Sequence, residues 1–148
     1  MANKIFAGPA GNIPVMAAPL EGATDMGCGY LVERQTDATK YTLSAQAATV
    51  LEAETLITVD AETSGATVDN AASYKTGSSV EPLEAKSGDY VYVRFAAGNN
   101  ISALGRAVTS AGSAGRFALA TAGQKIHGYA QEIVNVTAND TLVLIRVA

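Results

Sequence analysis

The stretch that decides the fold is Tyr90-Val-Tyr-Val-Arg-Phe95, in which side chains of two kinds alternate. Val91, Val93 and Phe95 share one parity, and the two tyrosines and the arginine share the other. Successive side chains of a β-strand point to opposite faces, so this alternation gives a strand one apolar face. The sequence therefore predicts a half-buried strand here.

Other apolar or alternating stretches predict further strands before and after residues 90–95. Thr141-Leu-Val-Leu-Ile-Arg-Val147 is nearly all apolar, which is typical of a buried strand. Residues 49–60 have the Ala and Glu content of a helix, but their apolar and acidic residues alternate, which favours a strand. The sequence thus predicts a mainly β domain, a small β-barrel or β-sandwich, with its other strands at 29–34, 40–44, 103–109, 115–121 and 125–136.

The first 22 residues differ from the rest and predict an extended N-terminal arm before a single β-domain at 23–148. Three of the four prolines lie in this arm, and proline fixes φ and has no backbone donor. Its apolar residues indicate that it packs on its own domain or, alternatively, on a neighbouring subunit or another protein. The predicted contact residues of the arm are Asn3, Ile5, Phe6, Ile13, Val15, Met16 and Leu20.

The composition excludes several kinds of site. The chain has 148 residues, of which 28 are Ala, with one His, one Cys and no Trp. One Cys cannot form an internal disulfide, and one His with one Cys cannot build a zinc site of the usual type. A net charge of −4 disfavours nucleic acid, and no apolar run approaches the roughly 20 residues that span a bilayer. We therefore expect no cofactor, no metal, no nucleic-acid partner and no membrane.

No pattern in the chain predicts catalysis. His127 and Cys28 each lack a sequence-defined partner, so we interpret both as structural. Glu52 and Glu54 would share one face of a strand, which is typical of a solvated surface. The six tyrosines are scattered, without the basic interleaving of a stacking platform. A polar stretch at 61–79 predicts a long surface loop.

Charge is distributed unevenly along the chain. Residues 1–89 carry 5 basic and 12 acidic side chains, whereas residues 90–148 carry 5 basic and 2 acidic ones. Two interpretations stay open: a solvated surface with chance clustering, or complementary patches that meet in an assembly and select its register. In the second case the candidate interface charges are Arg94, Arg106, Arg116 and Arg146.

Several loosely defined motifs follow the predicted arm in a definite order along the chain. After the arm come, in order, Gly27-Cys-Gly-Tyr-Leu-Val32, Ser87-Gly-Asp-Tyr-Val-Tyr-Val93, Ala97-Gly-Asn-Asn-Ile101, Gly115-Arg-Phe-Ala-Leu119 and Ile126-His-Gly-Tyr-Ala130. Over about residues 20–148 this order resembles the small capsid decoration (cement) proteins of tailed bacteriophages. The motifs are spacings of Gly, Ala and small apolar residues, and they contain no catalytic signature.

The resemblance implies a non-enzymatic virion protein with a β-tulip-like fold. Such a protein is made in the host cytoplasm and binds the outer surface of the capsid, where it stabilises the lattice. The implied partners are the major capsid protein and further copies of the chain itself, as a trimer. The alternatives are another phage structural component, such as a head-fibre base or tail module, and a carbohydrate-binding β-domain.

Overall fold

The computed structural model describes residues 5–9, 14–60 and 74–148, and all regular secondary structure among them is β-strand. This confirms the prediction of a mainly β chain. The strands are β1 (Phe6–Gly8), β2 (Leu20–Gly22), β3 (Leu31–Arg34), β4 (Lys40–Leu43), β5 (Leu56–Ile57), β6 (Ser79–Val80), β7 (Leu83–Glu84), β8 (Tyr90–Phe95), β9 (Asn99–Ile101), β10 (Ala107–Ser110), β11 (Phe117–Leu119), β12 (Gly128–Ala130), β13 (Val134–Val136) and β14 (Thr141–Val147).

Five of these strands close into a small barrel, in the order β8-β11-β10-β12-β14. The ring closes because β14 pairs with β12 on one side and with β8 on the other. β8 and β14 run antiparallel over six residue pairs, from Thr141 opposite Phe95 to Arg146 opposite Tyr90. The two stretches that most clearly predict strands thus form the longest ladder of the barrel.

A second sheet of six strands forms a half-barrel, in the order β6-β2-β4-β3-β5-β7. β9 and β13 make a separate two-stranded ladder. Side chains of both large sheets belong to one apolar core, to which Tyr41 and Leu83 contribute from the half-barrel and Phe95 and Ile145 from the barrel. The described residues are therefore held together by a shared interior.

The described part of the predicted arm packs on the chain's own sheets. β1 pairs with β8, and the side chain of Ile5 is fully buried. β2 lies between β4 and β6, and Met16 bridges to Leu83 at the edge of the half-barrel. The first alternative, an arm packed on its own domain, therefore describes these residues. Asn3 and Ile13 lie outside the described residues, as does most of the predicted loop at 61–79.

Several predicted strands are corrected in their extent. Only Leu56–Ile57 of the stretch 49–60 forms a strand, because hydrogen bonds from Val50 to Ala47 and from Ala53 to Val50 fold the preceding residues into turns. The strand predicted at 103–109 begins at Ala107, after a turn. The one predicted at 125–136 is divided into β12 and β13. The short strands β1, β2, β6, β7 and β9 were not predicted.

Candidate functional site

Arg94, one of the four candidate interface charges, is buried inside the chain. Its Nε donates to the Cys28 carbonyl at 2.7 Å, and its Nη1 donates to the Asp140 carbonyl at 3.1 Å. Its guanidinium carbon lies 5.4 Å from the ring centre of Tyr30. On the parity of β8 this side chain points out of the barrel, but residues 28–30 cover it. Arg94 thus makes internal contacts in place of the predicted interface contact.

Arg116 is also bound within the chain. Its Nε and Nη2 donate to the two carboxylate oxygens of Asp140, at 2.8 and 3.2 Å. These hydrogen bonds hold the pKa of Asp140 below its usual range. Burial, together with a hydrogen bond to Asp140, raises the pKa of Tyr30 to about 12. Arg116 and Asp140 are therefore both charged, and Tyr30 beside them is neutral. The bidentate pairing of Arg116 with Asp140 fixes the start of β11 to the turn before β14.

The other two candidate arginines, Arg106 and Arg146, are exposed. Arg146 lies in β14, opposite Tyr129 of β12 on one side and Tyr90 of β8 on the other. Its guanidinium carbon is 5.6 Å from the ring centre of Tyr129, within the range of a cation–π contact. Three strands thus place a Tyr–Arg–Tyr row across the outside of the barrel.

A second row lies beside the first on the same face. Leu144 is opposite Tyr92, and each is two residues along its strand from the first row, so all five side chains point away from the barrel interior. Arg146 is exposed and the other four are half-buried. These five residues, Tyr90, Tyr92, Tyr129, Leu144 and Arg146, are called the tyrosine–arginine face below.

The tyrosine–arginine face has the chemistry of a contact surface. Tyrosine offers a large flat area and a polar tip and has few rotatable bonds to immobilise, and arginine offers a planar set of donors. Both residue types are enriched at protein interfaces and among the side chains that carry most of the binding energy. Half-buried aromatic rings beside a guanidinium can also offer their open side to a sugar ring. The arrangement is thus suited to binding, with no group placed for covalent chemistry.

Sequence reasoning missed this face, and its conclusion that the tyrosines are scattered is wrong for three of them. The parity of Tyr90 and Tyr92 in β8 is readable from the sequence. Their neighbours Tyr129 and Arg146 come from two other strands, and only the register of those strands brings them alongside. The pattern within β8 therefore indicated only two of the five residues of the face.

A cleft of ≈ 240 Å³ opens at the half-barrel beside the turns at 47–53. Glu54 in its wall is bound to Arg34 at 2.8 Å, and Glu33 accepts a hydrogen bond from the Ser44 hydroxyl at 3.0 Å. Two of its three glutamates therefore have partners within the chain. The cleft is lined by Val32, Glu33, Arg34, Ser44, Gln46, Val50, Glu52, Ala53 and Glu54.

His127 is buried between the barrel and the half-barrel. Its Nδ1 is 2.8 Å from the Thr55 hydroxyl, and its ring meets Phe117 edge-on at 5.9 Å between ring centres. Burial, and to a lesser degree the charge of Lys125, lowers the pKa of His127 from 6.5 to about 4. The imidazole is thus neutral near pH 7 and acts as a packing group, as its sequence context suggested.

Acidification should destabilise the fold through His127. Between pH 6.5 and about 4 the unfolded chain takes up a proton on this ring and the folded chain does not. The contribution of His127 to the free energy of unfolding should therefore fall by about 3 kcal/mol across that window and stay constant below it. Urea unfolding of the wild type and of His127→Gln, measured at several pH values, isolates this contribution from that of the carboxylates. Equal pH dependence of the two proteins would contradict the assignment.

The described residues lack two further types of site. No group of three or more His, Cys, Asp and Glu side chains is placed there to hold a metal ion. None of these residues belongs to a helix long and apolar enough to cross a membrane.

Comparison with known proteins adds no assignment. No protein-family model matches the sequence, and no curated protein is significantly similar to it.

Proposed function

We propose that this chain is a structural virion protein that binds the outer surface of a phage head and stabilises the capsid lattice. The observation that carries the proposal is the tyrosine–arginine face, a ready contact surface on a closed barrel. The order of sequence motifs that resembles decoration proteins supplies the identity of the partner, the major capsid protein. The chain acts there as a homo-oligomer, a trimer.

The physical basis of such stabilisation is mass action. A protein that binds the assembled lattice and not the free coat subunits shifts the equilibrium toward the lattice. The barrel is suited to this role because a closed sheet fixes the backbone beneath the five side chains of the face, and its tyrosines have few rotatable bonds to immobilise on docking. Its contribution is contact area, and several linked copies bind more tightly than one.

The experiment is co-sedimentation of purified protein with mature heads that lack it, with free coat subunits as the comparison. Arg146→Glu reverses the charge at the centre of the face and should weaken binding to heads about tenfold or more. Lys75→Glu is the matched control, because Lys75 is also exposed but lies outside the face, in a loose ion pair with Asp25 at 3.7 Å. It should leave binding within about twofold of the wild type.

Two results would count against this proposal. A wild-type protein that never sediments with heads, even at saturation, excludes the decoration role. Equal losses for Arg146→Glu and Lys75→Glu would show that bulk charge and not the face governs binding.

The same face favours one second candidate, a carbohydrate-binding β-domain. Tyr129 and Tyr90 flank Arg146 in one row, and aromatic rings with a neighbouring planar donor suit the flat apolar side and the hydroxyl edge of a sugar. A glycan array with the wild type and Tyr129→Ala tests it. A glycan that raises the melting temperature of the wild type and not of the variant would favour this candidate over the first.

A further inference from the structure

Four of the six exposed large apolar side chains in the described part of the chain lie in two separate groups. Ile133 is 66% exposed and Leu104 is 64% exposed, and both lie near the β9–β13 ladder. Leu51 is 60% exposed and Val50 is 40% exposed, and both lie on the turns beside the cleft. Side chains of this size exposed in groups mark surfaces that a partner covers.

Backbone contacts assemble the first group. Val134 is opposite Ile101 in the β9–β13 ladder, so Ile133 comes next to the loop that follows β9. In that loop Gly105 donates its N–H to the Ala130 carbonyl at 2.7 Å, which holds Leu104 beside the end of β12. Arg106 follows in the chain and is exposed, with a long contact of 3.4 Å to the Ser102 hydroxyl. Leu104, Arg106 and Ile133 are called the basic patch below.

The second group carries the opposite charge. Val50 and Leu51 are followed by Glu52, which is exposed at the rim of the cleft. Val50, Leu51 and Glu52 are called the acidic patch below. Among the described residues, neither Arg106 nor Glu52 forms an ion pair within the chain. Each patch thus presents two aliphatic side chains and one charge without an ionic partner, and the two charges are complementary.

The two patches cannot meet within one chain because they lie at opposite ends of β10. Arg106 immediately precedes the first residue of β10, and Ser110 at its other end donates its hydroxyl hydrogen to the Gln46 carbonyl, next to the turns that carry the acidic patch. Four residues of strand separate the two ends by about 13 Å. A second copy of the chain has both patches and can bring them together.

We infer that the basic patch of one copy docks on the acidic patch of the next. The contact joins two different surfaces, so it is heterologous, and repetition generates a closed ring or an open filament and not a two-fold dimer. The inference rests on the homo-oligomer of the proposed function and names its contact residues. It also selects between the two interpretations of the uneven charge, since an acidic first part meets a basic last part across the contact.

Charge reversal tests the contact in the full chain by sedimentation velocity over a concentration series at low and high salt. The wild type should form oligomers that weaken at high salt, because exposed ion pairs are screened. Arg106→Glu and Glu52→Arg should each weaken association about tenfold, because each places like charges together. The double variant should regain wild-type association, because every contact then pairs the reversed charges.

Two control variants and one variant of the apolar residues separate the effect of the patches from that of charge in general. Lys75→Glu and Glu81→Arg make the same charge changes at exposed positions outside both patches, and they should associate as the wild type does. Leu104→Ser with Ile133→Ser removes the apolar part of the basic patch and should weaken association without charge reversal. A monomeric wild type at every concentration, or a double variant no tighter than either single variant, overturns the inference.

Failure of this inference is distinguishable from failure of the proposed function. Protein that stays monomeric but sediments with phage heads refutes the contact between copies and keeps the decoration role. Protein that forms the charge-dependent oligomer but never binds heads keeps the contact and refutes the decoration role.

Discussion

Replacing Gly115 by alanine should destabilise the fold by about 4 kcal/mol, a large part of the stability of a typical domain. A Cβ at this position would lie 2.5 Å from the Leu31 carbonyl oxygen and 3.1 Å from a methyl group of Leu43. The backbone of Gly115 also has a φ of 66°, a conformation that residues other than glycine adopt only at a cost in free energy. The carbonyl oxygen cannot move aside easily, because Leu31 belongs to β3 and its carbonyl already accepts the N–H of Ser44 at 2.9 Å.

The backbone hydrogen bonds of Gly115 explain why the loss of stability should be large. Gly115 donates its N–H to the Ser44 carbonyl and accepts the N–H of Leu31, so the tip of the β10–β11 hairpin is bonded to the half-barrel. An alanine there would push the barrel and half-barrel apart at their bonded junction. Urea unfolding of the purified variant measures the loss.

Gly123→Ala is the matched control for the close contact at Gly115. Gly123 also has positive φ, at 82°, but a Cβ there would meet nothing within 4 Å. It should therefore cost only the conformational penalty, about 1 kcal/mol. Similar losses in the two variants would show that backbone conformation alone, and not the contact with Leu31, limits position 115.

Replacing the buried Arg94 by methionine should destabilise the fold by about 3 kcal/mol. Methionine retains much of the length of the side chain but leaves the carbonyls of Cys28 and Asp140 without their guanidinium donor. Loss of one partner from a buried polar pairing costs its full desolvation penalty. Thermal and urea unfolding of Arg94→Met measure the effect.

Arg106→Met provides the comparison, because the Arg106 side chain is exposed and its polar contact with the Ser102 hydroxyl is long, at 3.4 Å. It should unfold within about 0.5 kcal/mol of the wild type. An Arg94→Met protein as stable as Arg106→Met would refute the internal role of Arg94 and return it to the candidate interface charges.

The sequence allowed the main ladder of the barrel to be predicted because each of its strands carries its own signal. The alternation at 90–95 and the apolar run at 141–147 reflect burial on the barrel interior, and burial depends on local residue type. The same rule gave a wrong prediction for the turns at 47–53, which it assigned in part to a strand at 49–60. Leu51 has the parity of a buried residue in 49–60 but is largely exposed, since alternation in a short window does not distinguish a strand from two successive turns.

The candidate surfaces were harder to predict because they depend on strand register. Arg94 and Arg146 look alike in sequence, as single arginines in apolar strands. One is covered by residues 28–30 and the other stands open between two tyrosines. Arg94 and Arg146 differ in which distant segment of the chain packs over their strands. The composition and periodicity of a strand do not indicate which segment will cover it.

The closure of the barrel by β14 also determines when the protein can fold. β8 finds its longest partner about fifty residues later in the chain, so the ribosome must complete β14 before the ring can close. Until then the nascent chain presents the open edges of β8 and β12, which can pair with strands of other molecules. Premature termination shortly before β14 should therefore yield aggregates, and efficient synthesis of the last strand protects the protein from them.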